Sequence, residues 1–335
     1  MYRLAHVSKV AAAVAAFIAA AGTAPAYAQI VRIDGSSTVY PITEAVAEEF
    51  QKARKGAVKV TVGISGTGGG FKKFCRGEID VSNASRPITR KEMAECKSAG
   101  IAYLEMPVAY DALTVVIHPR NSWARSMTVA DLKAMWEPAA QGKITTWNQV
   151  NPAWPRVPLK LFGPGADSGT FEYFTEAVTG KSKASRGDFT ASEDDNVLVQ
   201  GVSRDVNGLG YFGYAYYVEN MDKLTAVSIV ARDGKPAVAP SMETVVNGSY
   251  QPLSRPIFIY VNAKSAQKPA VREFVEYYNR HADELVKEVK YVPLPAKAYG
   301  YNLETLGRMR VGTKFDGENK VGLTIEDLMK LEARL

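Results

Sequence analysis

Histidine is scarce in this chain, with three in 335 residues. His6 lies in an apolar amino-terminal leader, His118 stands before a proline and His281 sits in a long helical pattern. Neither of the latter two comes with an evident acidic partner, and no His/Cys/Asp/Glu group has metal-ligand spacing. A hydrolase would want a general base, and "GADSG" (165–169) is not the G-x-S-x-G nucleophile elbow. An exported phosphatase or hydrolase is therefore disfavoured, and no catalytic residue, metal or cofactor is expected. Only two cysteines occur, Cys75 and Cys96. Their spacing fits neither a zinc site nor a C-x-x-C redox motif. In an exported chain the even count points to a disulfide, closing a loop of about 20 residues and stabilising by roughly 3 kcal/mol. No block of Lys/Arg with interleaved aromatics is present, which argues against nucleic acid as a partner. Internal repeats and low-complexity tracts are also missing.

Only one long apolar run occurs. Arg3 and Lys9 form a basic start, Val10 to Ala21 is apolar, and Ala26-Tyr27-Ala28 is an A-x-A site. This reads as a secretory signal peptide over 1–28, cleaved after Ala28. The run is shorter than the roughly 20 residues of a membrane span. No cysteine follows in a lipobox position, so a periplasmic protein without a lipid anchor is expected. Loss of Arg3 and Lys9 lowers the net charge from +6 to +4, which suits an anionic ligand without specifying one.

The remainder alternates short strand and helix patterns, as in an α/β fold with a largely parallel sheet. "QIVRIDG", "AVKVTVGIS", "IDVSNAS", "LKLFGP" and "RPIFIYVNAK" read as strands. "PITEAVAEEFQKA", "TRKEMAECKSAG", "TVADLKAMWE" and "QKPAVREFVEYYNRHADELVKEV" read as helices. "IAYLEMPVAYDALTVVIHP" reads as two strands around Tyr110-Asp111. Strongly β runs near 108–118 and 255–262 interrupt the alternation, as two crossovers between two α/β lobes would. The expected division is 29–112 with 256–335 for one lobe and 113–255 for the other. The last 35 residues or so are polar and are expected to pack on the surface.

One device recurs. "IDGSSTVYPITEAV" (33–46) places Ser36, Ser37 and Thr38 where a strand hands over to a helix. Alone this is either a helix cap or an anion site at a helix N-terminus. "ISGTGGGFKKF" (64–74) repeats it with Ser65, Gly66 and Thr67, and "LFGPGADSGTFEYF" (161–174) with Ser168, Gly169 and Thr170. The glycine stretch is neither a Walker A motif nor a dinucleotide fingerprint. Three such turns, if they converge, would bind a tetrahedral oxyanion through N–H groups, hydroxyls and helix dipoles. A fourth stretch, "IDVSNASRPI", sets Arg86 among small polar residues at a strand end, where a guanidinium could clamp an oxyanion or pair with an acidic neighbour.

"DGSSTVYPITEAVAEEF", "ISGTGGGFKKFCRGEIDVSNASRPI", "PVAYDALTVVIHP", "KITTWNQVNPAWP", "GPGADSGTFEYFTEAV" and "LGYFGYAYY" occur in that order. As an ordered set, from Ile30 to about Pro295, they resemble the phosphate-binding protein of bacterial phosphate ABC transporters (PstS type). The resemblance implies a class II periplasmic-binding-protein fold, with two α/β lobes joined by two hinge crossovers and inorganic phosphate enclosed between them. It also implies delivery to a membrane permease with an ATPase partner, by a protein expected to be monomeric. The ligand residues carried over are Ser37, Thr38, Ser65, Gly66, Thr67, Ser168, Gly169 and Thr170, with Arg86 as the added guanidinium. The chain departs from the family pattern in its charged residues. Well-known members carry an Asp in the S-x-P turn and an Arg shortly before "SGT", whereas here Arg86 occupies the first neighbourhood and Pro164 to Asp167 hold no Arg. A carboxylate that accepts the phosphate proton would repel sulfate, and a binding protein for another oxyanion, sulfate or molybdate, is the rival reading. Arsenate is a further rival ligand. Asp167, Asp194 and Asp195 are the candidates for that acceptor, and Asp195, at the start of a helix, is preferred.

Overall fold

The computed structural model describes residues 29–232 and 234–332, so the leader and its cleavage point lie outside the described residues. Strands β1 (Gln29–Gly35), β2 (Val58–Val62) and β3 (Val81–Ala84) alternate with helices α1 (Tyr40–Ala53) and α2 (Gly66–Cys75). Helix α3 (Arg90–Ser98) follows, its first turn closed by a capping box between Thr89 and Glu92. Strand β4 then runs unbroken from Tyr103 to Ile117, every residue buried. The two strands expected around Tyr110-Asp111 are thus one: the chain stays extended through Asp111, which pairs in register with Arg255 of the returning strand Ser254–Asn262.

Beyond β4 come α4 (Val129–Trp136), β5 (Lys160–Pro164), α5 (Gly169–Thr179), β6 (Thr190–Ser192), α6 (Asp195–Ser203) and β7 (Gly208–Gly213). The chain returns through β8 (Ser254–Asn262) to α7 (Pro269–Glu288), α8 (Ala296–Gly307) and α9 (Ile325–Glu332). The main sheet has the order β2-β1-β3-β8-β4-β7-β5-β6. It is parallel at both flanks, but β8 and β4 are antiparallel to their neighbours, so the sheet is mixed rather than largely parallel. Strand β4 changes partner along its length. Tyr103 to Ala112 pair with β8, and Leu113 to Ile117 pair with β7.

Cys75, ending α2, and Cys96, on α3, form a disulfide. The carboxyl-terminal segment is more deeply built in than its polarity suggests. Phe315 and Leu328 are buried, Tyr110 donates its hydroxyl to the Leu323 carbonyl, and buried Glu105 accepts from the Lys314 N–H. The expected surface packing fails here because a few apolar anchors and backbone bonds hold a polar segment against the middle of β4.

Candidate functional site

The three hydroxyl turns converge. Thr38, after β1, lies with its hydroxyl oxygen 2.9 Å from that of Thr170, in the first turn of α5. Thr67, at the start of α2, is 3.1 Å from the Ser85 hydroxyl and also accepts from the Ser85 N–H. A Cβ on Gly169 would meet the Ser85 Oγ at 2.5 Å and the Thr67 Oγ1 at 2.6 Å, so only glycine lets α5 approach these hydroxyls. Ser37, Thr38, Thr67, Ser85, Ser168 and Thr170 are all buried.

Capping accounts for only part of this. Helix α1 has Val39 at its N-cap and no side-chain cap bond, so Ser36, Ser37 and Thr38 are not held there as caps. Ser168 does cap α5, accepting from the N–H groups of Thr170 and Phe171. Ser65 turns away from the cluster and donates to Asp34 at 2.7 Å. The glycine stretch is the first turns of α2 rather than a loop. Gly66 has φ +73°, and a Cβ there would meet the Asp167 carbonyl at 2.5 Å. Gly68 spends its N–H on that same carbonyl at 2.9 Å. A Cβ on Gly70 would be 2.7 Å from the Gly35 Cα. These glycines therefore let α2 pack onto β1 and onto the turn before α5.

The guanidinium that reaches the hydroxyls is that of Arg255, not Arg86. Arg255 stands on β8 directly opposite Asp111 on β4. Its Nη1 donates to the Gly169 carbonyl at 2.8 Å, and its Nη2 to the Thr170 hydroxyl at 2.7 Å and to Asp111 at 3.3 Å. Both charges are buried. Burial pushes Asp111 up and Arg255 down from their ordinary values, each opposed by the other's charge. Arg86 instead gives its guanidinium to Glu92, at 2.8 Å to each carboxylate oxygen, and to Glu172. Glu92, in the first turn of α3, and Glu172, on α5, take up the guanidinium, although Ser85 beside it belongs to the cluster.

The three acidic candidates separate clearly. Asp167 is partly exposed and paired with Lys72. Asp194 is exposed and caps α6. Asp195 is buried, and its Oδ2 has no hydrogen-bond partner among the described residues. Burial, then the charge of Asp111, pushes the Asp195 carboxyl up to about 8, against the pull of Arg255. Arg255 and Asp111 escaped the sequence reading because each lies inside a strongly β run. The available signal was one unpaired charge of opposite sign in each: Asp111 is the sole charged residue between Met106 and Ile117, and Arg255 opens the apolar run of β8.

Comparison with known proteins gives the family. The model of the PBP superfamily domain matches residues 19–280. Protein SphX of Synechococcus elongatus is 53% identical over 321 residues, covering 96% of this chain and 94% of its own. The phosphate-binding protein PstS of Staphylococcus saprophyticus is 39% identical over 80% of this chain and 82% of its own. Among solved structures, a possible phosphate binding protein from Planctomyces limnophilus is 48% identical with a TM-score of 0.62, covering 84% of this chain and 99% of its own. A putative phosphate ABC transporter substrate-binding protein from Clostridium perfringens, with bound phosphate, is 25% identical with a TM-score of 0.67, covering 80% and 100%. On this match in sequence and fold, the chain belongs to the PstS family of phosphate-binding proteins within the PBP superfamily.

Proposed function

We propose that the protein captures inorganic phosphate in the periplasm and delivers it to the permease of an ABC transporter, acting as a binding protein rather than an enzyme. The observation that carries this is the convergence of buried hydroxyls from separate strand-to-helix turns on one guanidinium, beside a buried carboxylate oxygen that has no partner. Hydroxyls, helix N-termini and Arg255 supply donors to a tetrahedral oxyanion. A division into lobes 29–112 with 256–335 and 113–255 is supported by the change of partner along β4 between Ala112 and Leu113. Ligand contacts contributed from both lobes favour the closed arrangement. The ligand set is Ser37, Thr38, Thr67, Ser85, Ser168, Gly169, Thr170, Arg255 and Asp195.

Asp195 carries the discrimination. Phosphate brings a proton that it can share with this carboxylate. Sulfate brings none and binds only when Asp195 is already protonated. Asp195 holds its own proton up to about pH 8, so sulfate binding falls as pH rises beyond that point while phosphate binding is retained. Isothermal titration of phosphate-stripped protein with phosphate, and with sulfate as competitor, at about pH 6.5 and about pH 9, on either side of the Asp195 value, tests the reading. Phosphate binding at both values, with sulfate competition lost at the higher, is expected. Equal binding of both anions throughout would make the site a general oxyanion receptor, and binding of neither would overturn the proposal.

A further inference from the structure

Arg86 is buried at the junction of the two lobes. It directly follows Ser85, whose hydroxyl meets Thr67. Its guanidinium joins Glu92, on its own lobe, to Glu172 on α5 of the other. Glu172 is itself buried and takes a second cation, Lys183, at 3.0 Å. Burial works against the charge on Arg86, but Glu92 and Glu172 outweigh it and hold it firmly protonated. Phe71 lies under the guanidinium at 5.6 Å. One helical turn separates Glu172 from Ser168 and Gly169, so a clamp on Glu172 fixes the N-terminus of α5.

Three more contacts cross beside it. Lys72 on α2 reaches Asp167 at 3.0 Å, and the Gly68 N–H reaches the Asp167 carbonyl. From the carboxyl-terminal segment, Asn319 donates to Glu176, also on α5, at 2.9 Å, while the neighbouring Glu318 pairs with Arg90 on α3. Segment 316–319 therefore bridges α3 of one lobe to α5 of the other, alongside the buried cluster.

We infer that Arg86 and Glu172 are positioning residues for phosphate retention: their ion pair latches the lobes closed and seats the α5 N-terminus against Ser85 and Thr67, without touching the ligand. The inference rests on the phosphate reading above. A latch of this kind forms after encounter, so it governs release rather than association. Removing one partner also strands a buried charge, which makes the open form competitive.

The test is stopped-flow measurement of phosphate association and release for the wild-type protein, Arg86→Gln, Glu172→Gln, the double variant and Arg86→Lys. Each single Gln substitution is expected to raise the release rate about tenfold or more, leaving association within about twofold. The double variant should release phosphate more slowly than the product of the single effects predicts, because it strands fewer charges. Arg86→Lys, which keeps the charge, should recover part of the loss. Lys72→Gln removes an exposed contact without threatening the fold and should raise release a few-fold at low salt only. Wild-type release rates in Glu172→Gln and Lys72→Gln would overturn the latch, as would association and release changing together in step with a lowered ligand-free melting temperature. Absence of phosphate binding by the wild-type protein would instead overturn the phosphate reading, a separate outcome.

Discussion

Arg86 and Arg255 both sit buried beside acidic groups, and their surroundings give them different work. Arg255 faces Asp111 across the β4–β8 ladder and spends its remaining donors on the Gly169 carbonyl and the Thr170 hydroxyl. Arg255→Ala is expected to abolish measurable phosphate binding and to cost about 3–5 kcal/mol of stability, because Asp111 would be left buried and unpaired. Urea unfolding and titration calorimetry measure the two losses separately. Arg255→Lys should recover stability better than binding, since a lysine keeps the charge but not the planar fork of donors. Asp195 makes a pH-dependent prediction. Its carboxyl is raised to about 8 in the folded protein from an ordinary value of 3.8. Between those values the unfolded chain has lost the proton and the folded one still holds it. The stability this group contributes is therefore full below the lower value and declines as pH rises towards the upper. Asp195→Asn removes that decline, so the phosphate-free variant should gain on the wild type in urea midpoint steadily from pH 4 to pH 8. Parallel midpoints across that range would mean that Asp195 is ionised in the folded protein.

At the scale of elements, the sequence was most informative where periodicity and capping chemistry agree. Thr128 caps α4 and Ser168 caps α5, as their positions before an apolar helical pattern indicate. The boundaries of α1, β5, β8 and α7 follow the patterns closely. Legibility failed where a residue's role depends on a partner distant in the chain. Glycines 66 to 70 look like a turn between a strand and a helix, yet they form the first turns of α2, packed closely against Asp167, Gly35 and Ser82. Arg255 read as part of a strand, because only the β4–β8 register reveals Asp111 opposite it. Arg86 stands out in the sequence among small polar residues, but its partners Glu92 and Glu172 lie on two different helices. The family resemblance implies Gly169 as a ligand residue, and the fold adds a steric reason for glycine there. Gly169→Ala would force α5 away from Ser85 and Thr67, both contacts being shorter than real Cβ atoms tolerate. Phosphate affinity should fall on the order of a hundredfold, the effect of misplacing donors by about 1 Å. The ligand-free melting temperature should change much less, since alanine is otherwise a good helix former. Unchanged affinity in titration calorimetry would mean that the two lobes yield freely at this contact.

For the whole molecule, two sources of stability are separable. The Cys75–Cys96 disulfide lies within one lobe, tying the carboxyl-terminal end of α2 to α3, while the hydroxyl cluster gathers at the opposite end of α2. Its contribution acts mainly on the unfolded chain, through a sequence separation of 21. Bound phosphate acts instead on the folded, closed protein, by an amount fixed by free ligand and affinity, about 2.7 kcal/mol at a hundred times Kd. If the disulfide does not set the site's geometry, the two must add. The Cys75→Ser/Cys96→Ser double variant should therefore lose about 3 kcal/mol in denaturant unfolding, yet keep the wild-type phosphate affinity and the full phosphate-induced increment. An increment that shrinks in the double variant would show that the α2–α3 tether reaches Thr67 through the length of the helix. The first turn of α2 would then be held from its far end as well as by the glycine contacts.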